Sequence, residues 1–473
     1  MKNSKVDRWF HISLLLLFLL IFSAVSAYQF FTFQLDWHDT GHLYHIIMNV
    51  FSKGYFASYD WQTDFLNIHF TPFFYVLALL YKLLPGVEGF LFLNAAVMAV
   101  YFLVIVKFAE LVSGSRAQGL LVTGLLFLNP YTWAIHLYPH FECWGFLFML
   151  LAALGLKLRN SLLFYSTLVL GLTVKEDMWF YMLCGLFVLF ERKDIKKIGF
   201  GAAICLLYYV LVLNLIYPSL YPQKQNLMRM VWSFADSPLD IVAYYATQPH
   251  AWVKLLMNEH FWNFLFPIGA LLIFSPIRVL PILFSMMIWL AATEVNRSSL
   301  SYYYSSGPMA LVALCLPYSL MNARNIVRLM WIRVGVSGIL LVTSIYLCWF
   351  VPSSLQVSPN LRKVFSQEYH HGSSKHRKIR EITNYEKYQS IMTQFSLASF
   401  VPPGKELHIN FDRLEKFHKN ILKPDLVIID IHGRSIANEP PGHFNHRMNQ
   451  YRQDYQLVHH QAGLYFYEKK TQL

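Results

Sequence analysis

The sequence predicts a multi-span α-helical membrane protein with a small α/β domain at its C-terminal end. Two observations carry the membrane part: 56% of the 473 residues are hydrophobic and only 14% are charged. A soluble domain usually carries about a quarter charged residues, and repeated apolar runs of this kind read as transmembrane helices. The third observation is a break at Pro352, after which the hydrophobic runs stop and charged, His-rich sequence begins. This divides the chain into a membrane domain, 1–351, and an outer domain, 352–473.

The first element runs from about Phe10 to Phe31, preceded by Lys2, Lys5 and Arg8, a pattern that keeps the N-terminus inside. Ala24-Val-Ser-Ala27 also resembles a signal-peptidase site, so cleavage after Ala27 is an alternative. Residues 70–84 are apolar but short, bounded by Pro72 and Pro85 and interrupted by Lys82, which suits an interfacial or re-entrant segment. Further spans are then expected at about 88–108, 117–137, 142–157, 161–175, 178–191, 197–217, 260–276, 279–294, 306–321 and 330–351, about eleven in all. This assignment gathers Lys107/Arg116, Lys157/Arg159, the 191–197 run, Arg278 and Arg324/Arg328/Arg333 on the cytoplasmic side. The N-terminus is then cytoplasmic and the C-terminal domain extracytoplasmic, across the plasma (inner) membrane.

In the outer domain, about 378–399 reads as helix, ended by Pro402-Pro403-Gly404. Leu407 to Phe411 alternates, and Leu426-Val-Ile-Ile429 and Leu464-Tyr-Phe-Tyr467 read as strands. The net charge of +12 is explained by the basic cytoplasmic loops, and no basic aromatic-rich module points to nucleic acid as a partner. Five cysteines without C-x-x-C spacing indicate neither a disulfide framework nor a zinc site.

The topology places five short polar clusters on one outer face. Ionisable groups at span ends are functional-site candidates by default. Asp39, in Asp36-Trp-His-Asp39-Thr-Gly41, is the leading candidate for a general base toward an acceptor hydroxyl, with Asp36 second. A solvated aspartate that merely ends the first helix is the plainer reading of either. His69, opening His-Phe-Thr-Pro72, suits a phosphate or a metal, or a simple helix cap. His140 and Glu142 lie two apart in a short loop, and Lys175-Glu176-Asp177 forms a tight link between spans. Lys175 and His140 are candidates for substrate or phosphate binding. Glu142, Glu176 and Asp177 are candidates for a divalent cation such as Mg or Mn, against the plain alternative of a self-neutralising charged turn. Arg297, near Tyr302–Tyr304, is a further anion-binding candidate beside what also reads as an aromatic belt.

His38-Asp-Thr-Gly41, His69-Phe-Thr-Pro72, Leu128-Asn-Pro130, Pro139-His-Phe-Glu142 and Val174-Lys-Glu-Asp177, in this order, resemble a family of predicted prokaryotic membrane proteins grouped with the GT-C glycosyltransferase superfamily. The resemblance runs on through Pro402-Pro403-Gly404 and 426–430. It implies a GT-C-like fold with a long first outer loop, and membrane lipids and a polyprenyl-phosphate-linked sugar donor as partners. It also implies inverting sugar transfer in which the first-loop carboxylate, best matched by Asp39, acts as base. Two departures are visible. Asp36 and Asp39 are separated by Trp37-His38 rather than adjacent, and Tyr302–Tyr304 lacks a histidine that the family pattern favours. A transporter or lipid-handling protein, or an inert scaffold, is the alternative class. Transporters usually place polar groups at mid-membrane on repeated halves, a pattern absent from this sequence.

Overall fold

The computed structural model describes residues 4–31, 40–58, 63–216, 231–235, 238–293, 295–298, 300, 302–326, 385–398, 400–409, 423–430, 453–461 and 463–470. It also describes isolated positions at 219, 335, 338–339, 342–343 and 346. The last expected span, 330–351, lies largely outside the described residues.

Helices dominate. Among them α1 (Ser4–Phe31) and α4 (Gly86–Ser113) contain apolar stretches long enough to cross a membrane, Val6–Phe31 and Gly86–Ser113. The segment expected as one span at 117–137 is instead two helices, α5 (Arg116–Phe127) and α6 (Pro130–Leu137), bent by 66° at Leu128-Asn129. The cause is local. Pro130 disfavours a helical residue before it, and the Asn129 side chain accepts the Tyr131 N–H at 2.9 Å, capping a new helix. The short apolar run after His69 forms the ten-residue helix α3 (Phe74–Leu83). Together with α2 (Thr40–Lys53) and the two-residue ladder β1 (Ala57–Ser58) and β2 (Thr63–Asp64), it makes the first loop a structured region.

The chain falls into two compact units. The first comprises 1–22, 69–73 and 94–362; the second comprises 23–68, 74–93 and 363–473. Within the first, α7 (Glu142–Lys157) and α8 (Ser161–Leu172) form a tight hairpin. A Cβ on Gly155 would lie 2.7 Å from the Phe164 backbone nitrogen, so only glycine permits this approach. α9 (Met178–Val188) and α10 (Ile195–Leu211) continue the bundle. After α11 (Pro238–Thr247), α12 (Pro249–Leu256) and α13 (Glu259–Leu272) come α14 (Pro276–Leu290) and α15 (Ser306–Ile326). Helix α15 packs against α5, α7, α9 and α14, and its residues 309–316 are all buried.

In the second unit the C-terminal sheet comprises β3 (Ser390–Thr393), β4 (Glu406–Ile409), β5 (Leu426–Asp430), β6 (Tyr455–Gln461) and β7 (Leu464–Lys469), with a one-turn helix α16 (Phe395–Ala398) after β3. The strand order is β4-β3-β5-β7-β6; β4, β3 and β5 run parallel, while β7 is antiparallel to both β5 and β6. All five β5 residues are buried, as a strand covered on both faces requires. The expected strands over 407–411, 426–429 and 464–467 correspond to β4, β5 and β7. The helix read over 378–399 is corrected here, because Ser390–Thr393 is a strand flanked on both edges by parallel neighbours. Asp425 sets that register: its carboxylate accepts the N–H groups of Gln389 and Ser390 at 2.8 and 3.0 Å. Those bonds outweigh partial burial and hold its pKa below the usual carboxylate value.

Candidate functional site

Three of the sequence motifs converge in the first unit, although His69 and Glu176 lie 107 residues apart along the chain. The His69-Phe-Thr-Pro72 segment is tied to the α8–α9 turn twice. The Phe73 N–H donates to the Thr173 carbonyl at 3.0 Å, and His69 Nδ1 lies 2.8 Å from Glu176 Oε1. The Phe73 ring packs on Trp144 and Phe148 of α7, with ring centres 5.4 Å from each. Glu142 opens α7 and Asp177 immediately precedes α9, so both carboxylates sit at helix N-termini, where the backbone dipole favours negative charge. Lys175 joins them. Its ammonium donates to Glu142 Oε1 and lies 3.4 Å from Asp177 Oδ2. His140 Nδ1 is 3.9 Å from Glu142 Oε1, with its ring against Phe141.

The site has a deep part and an accessible part. The His140, Glu142 and Lys175 side chains are 7–10% exposed, whereas those of His69 and Asp177 keep 36% each. Burial alone would discharge Lys175, but Asp177, Glu142 and Glu176 around it hold its pKa well above the ordinary lysine value. Glu176 also resists burial: the paired His69 brings its pKa below the usual glutamate value. Asp177 goes the other way, raised by burial and by Glu176 against the pull of Lys175. His140 is pushed well below the ordinary imidazole value by burial first, then by the charges of Lys175 and His69, so it is neutral at pH 7.

Glu142 and Asp177 converge on an ammonium, while Glu176 turns to His69. Among the described residues no group of three or more His, Cys, Asp or Glu side chains is arranged to hold a metal ion. In this arrangement the Lys175 ammonium lies between the Glu142 and Asp177 carboxylates. The same pairing matches the charge of Lys175 internally, leaving His69 as the more accessible basic group.

Arg297 belongs to a different cluster. Its Nε–H donates to the Tyr304 hydroxyl at 3.0 Å, and Tyr304 packs on Trp289, whose Nε1–H donates to Tyr181 Oη at 2.6 Å. A Cβ on Gly307 would come within 2.2 Å of the Tyr181 ring, which explains glycine there. Asp36 and Asp39 lie outside the described residues. Sequence reading missed His45 and His136, both buried and both bonded to remote backbone carbonyls, Val401 at 2.8 Å and Phe22 at 3.1 Å. Their signal, a histidine on an apolar helix face, does not name its partner.

Residues 39–466 match the family described as "Predicted membrane protein (DUF2079)", more than half of the chain. The chain belongs to this DUF2079 family. The DUF2079 match begins at Asp39 and takes in every motif that converges in the charged cluster. No match is found among the curated proteins. Among solved structures, the chain is similar to ArnT from Cupriavidus metallidurans bound to undecaprenyl phosphate. The two share 12% identity and a TM-score of 0.44 over 96% of this chain and 98% of that one.

Proposed function

We propose that this DUF2079 protein is an integral membrane glycosyltransferase. It moves a sugar from a polyprenyl-phosphate carrier to an acceptor on the outer face, inverting the anomeric centre. The architecture in this reading is GT-C-like, with about eleven spans, a cytoplasmic N-terminus and an outer C-terminal domain in the plasma membrane. The observation that carries the proposal is the gathering at the ends of apolar helices of two ion-paired sets, Glu142–Lys175–Asp177 with neutral His140 beside Glu142, and His69–Glu176 from the adjoining turn. Desolvated charge at a membrane protein's helix ends is costly and is retained where it acts. The motif resemblance supplies the reaction class.

Asp39, with Asp36 second, takes the acceptor hydroxyl proton. The freed oxygen attacks the anomeric carbon, and the bond from that carbon to the phosphate oxygen breaks, releasing the polyprenyl phosphate. His69, its ring oriented by Glu176, meets the donor phosphate together with Arg297. Lys175 fixes the carboxylates of Glu142 and Asp177, and His140 stays neutral behind them.

The test compares surface glycans and glycolipids by mass spectrometry in a deletion strain, in the same strain complemented with wild type, and with Asp39→Asn at matched expression. A species lost on deletion, restored by wild type and still absent with Asp39→Asn supports the transferase. Full restoration by Asp39→Asn removes the base and advances a transport or scaffold role; no change on deletion overturns the transferase reading.

A further inference from the structure

In the first unit, α12 carries its apolar side outward. At about 100° per residue, Ala251 and Leu255 fall on one side of this helix, and both are buried. The opposite side presents Trp252, Val253, Leu256 and Met257, exposed by 44%, 57%, 51% and 80%. His250 and Lys254, both exposed, stand at one edge of that arc. Trp262, in the first turn of α13, extends the patch and is also half exposed. Exposed apolar side chains scattered singly need no explanation, but a contiguous patch marks a contact surface. A helix resting on protein with its other side in water would carry polar residues there.

Three observations say what covers the patch. First, its indole N–H groups are satisfied within the chain: Trp252 donates to the Tyr245 carbonyl at 2.7 Å and Trp262 to the Leu256 carbonyl at 2.6 Å, so neither ring needs water. Second, the patch runs into α13 and α14, where Ile273, Ile277, Leu280 and Phe284 are exposed as well, in a family of predicted membrane proteins. Third, α12 is a separate short helix. Asn258 ends it in an extended conformation and accepts the His260 N–H at 2.8 Å, which starts α13. Eight residues rise only about 12 Å, far short of a hydrocarbon core of about 30 Å, so α12 suits the membrane surface and not a crossing. From inside, the Tyr245 hydroxyl donates to the Met287 carbonyl at 3.1 Å, and the Trp252 ring lies 5.4 Å from that of Tyr245. These contacts fasten α11 and α12 to the end of α14 that leads, through Trp289 and Tyr304, into the Arg297 cluster.

We infer that α12 is an interfacial helix whose partner is the lipid bilayer. It lies along the membrane surface, with Trp252, Val253, Leu256 and Met257 in the boundary between headgroups and acyl chains and Lys254 reaching back to the headgroups. The inference stands apart from the transferase reading and keeps its meaning if that reading fails.

The experiment places the full chain singly in lipid nanodiscs of equal parts phosphatidylcholine and phosphatidylglycerol. A nitroxide is attached at Val253→Cys, at Leu256→Cys or, on the polar edge, at Lys254→Cys. The wild-type chain labelled in parallel supplies the background from its own cysteines. Power-saturation EPR then compares collisions with oxygen, which concentrates in lipid, and with a water-soluble nickel chelate. The oxygen-to-nickel ratio is expected to be about tenfold higher at positions 253 and 256 than at 254. A nickel-dominated ratio at 253 and 256 overturns the inference, because the face is then in water. Low collision with both reagents there overturns it too, because another part of the chain then covers the face. All three side chains are exposed, so their substitution leaves the packing intact; should one apolar-face variant fail to accumulate, the other or Met257→Cys decides on the same readout. No glycan enters this measurement, so its outcome and that of the transferase test are read separately.

Discussion

The two ends of α7 carry charge of opposite character. At the Glu142 end, two carboxylates flank one lysine and a third, Glu176, pairs with His69, among largely buried side chains. At the Lys157 end, roughly 24 Å away for a 16-residue helix, one carboxylate, Glu191, is surrounded by cations. Lys157 and Lys193 pair with Glu191, Tyr318 donates to it at 3.1 Å, and the Arg278 guanidinium sits 3.9 Å above the Tyr318 ring. Lys193 is 61% exposed there. An exposed basic excess is what orients a membrane protein and needs no further task. A buried acidic excess contributes nothing to orientation and carries a desolvation cost, so its presence points to chemistry.

The sharpest way to break this contrast is Lys175→Met. It leaves Glu142 and Asp177 without their ammonium and is expected to cost ~3–5 kcal/mol, read as a large fall in Tm or failure to accumulate. Glu142→Leu added to it removes the stranded partner as well and is expected to recover part of that loss, whereas additive losses would show that the pair is not coupled.

A pH series sharpens the comparison next. The folded pKa of His140 lies below the ordinary imidazole value of about 6.5, so between the two the unfolded chain holds a proton that the folded chain does not. Its contribution to stability is complete above about pH 6.5 and is lost progressively as pH falls below that value. His45, pushed to about 4 by burial, acts with the same sign, so the diagnostic is a difference between proteins. Thermal unfolding of wild type is expected to weaken by several degrees from pH 7 to 5, and His140→Gln to show a shallower slope. Equal slopes would mean that His140 does not titrate in this way.

The smallest effect is expected at the other end. Burial would raise the Glu191 pKa, but hydrogen bonds from Lys157, Lys193 and Tyr318 bring it to about 2, a stabilisation present above the ordinary glutamate value and lost as pH falls toward 2. Because part of this cluster is solvated, Glu191→Gln is expected to cost about 1 kcal/mol or less at pH 7, with unchanged glycan product. A loss as large as that of Lys175→Met would erase the distinction between the two ends.

Much of the fold was legible along the chain. Apolar runs marked α4, α7 to α10 and α13 to α15, the short run after His69 gave the short helix α3, and alternation or continuous apolarity found β4, β5 and β7. These signals are local, set by burial and backbone period. The strand β3 was not legible, because Ser-Ile-Met-Thr has no strong alternation and becomes a strand through pairing with β4 and β5. The 66° bend at Leu128-Asn129 had a local signal, though continuous hydrophobicity on both sides masked it. Of the candidate site, the residue types and their order were readable, and the structure brings six of the nine candidates, His69, His140, Glu142, Lys175, Glu176 and Asp177, near one another, which a division into phosphate-binding and metal-binding groups did not specify.

What the sequence alone determined is the class of protein and the inventory of groups able to act, since composition, span length and family motifs depend only on residues. Which charge answers which was decided by tertiary structure. Lys175 could equally have faced a phosphate or a metal's carboxylates; packing of α7, α8 and α9 turned it onto Glu142 and Asp177. His45 could have been any helix histidine until the Phe400–Val401 turn met it from 356 residues away. Pairing across such distances depends on three-dimensional proximity, and neither hydrophobic period nor motif spacing records it.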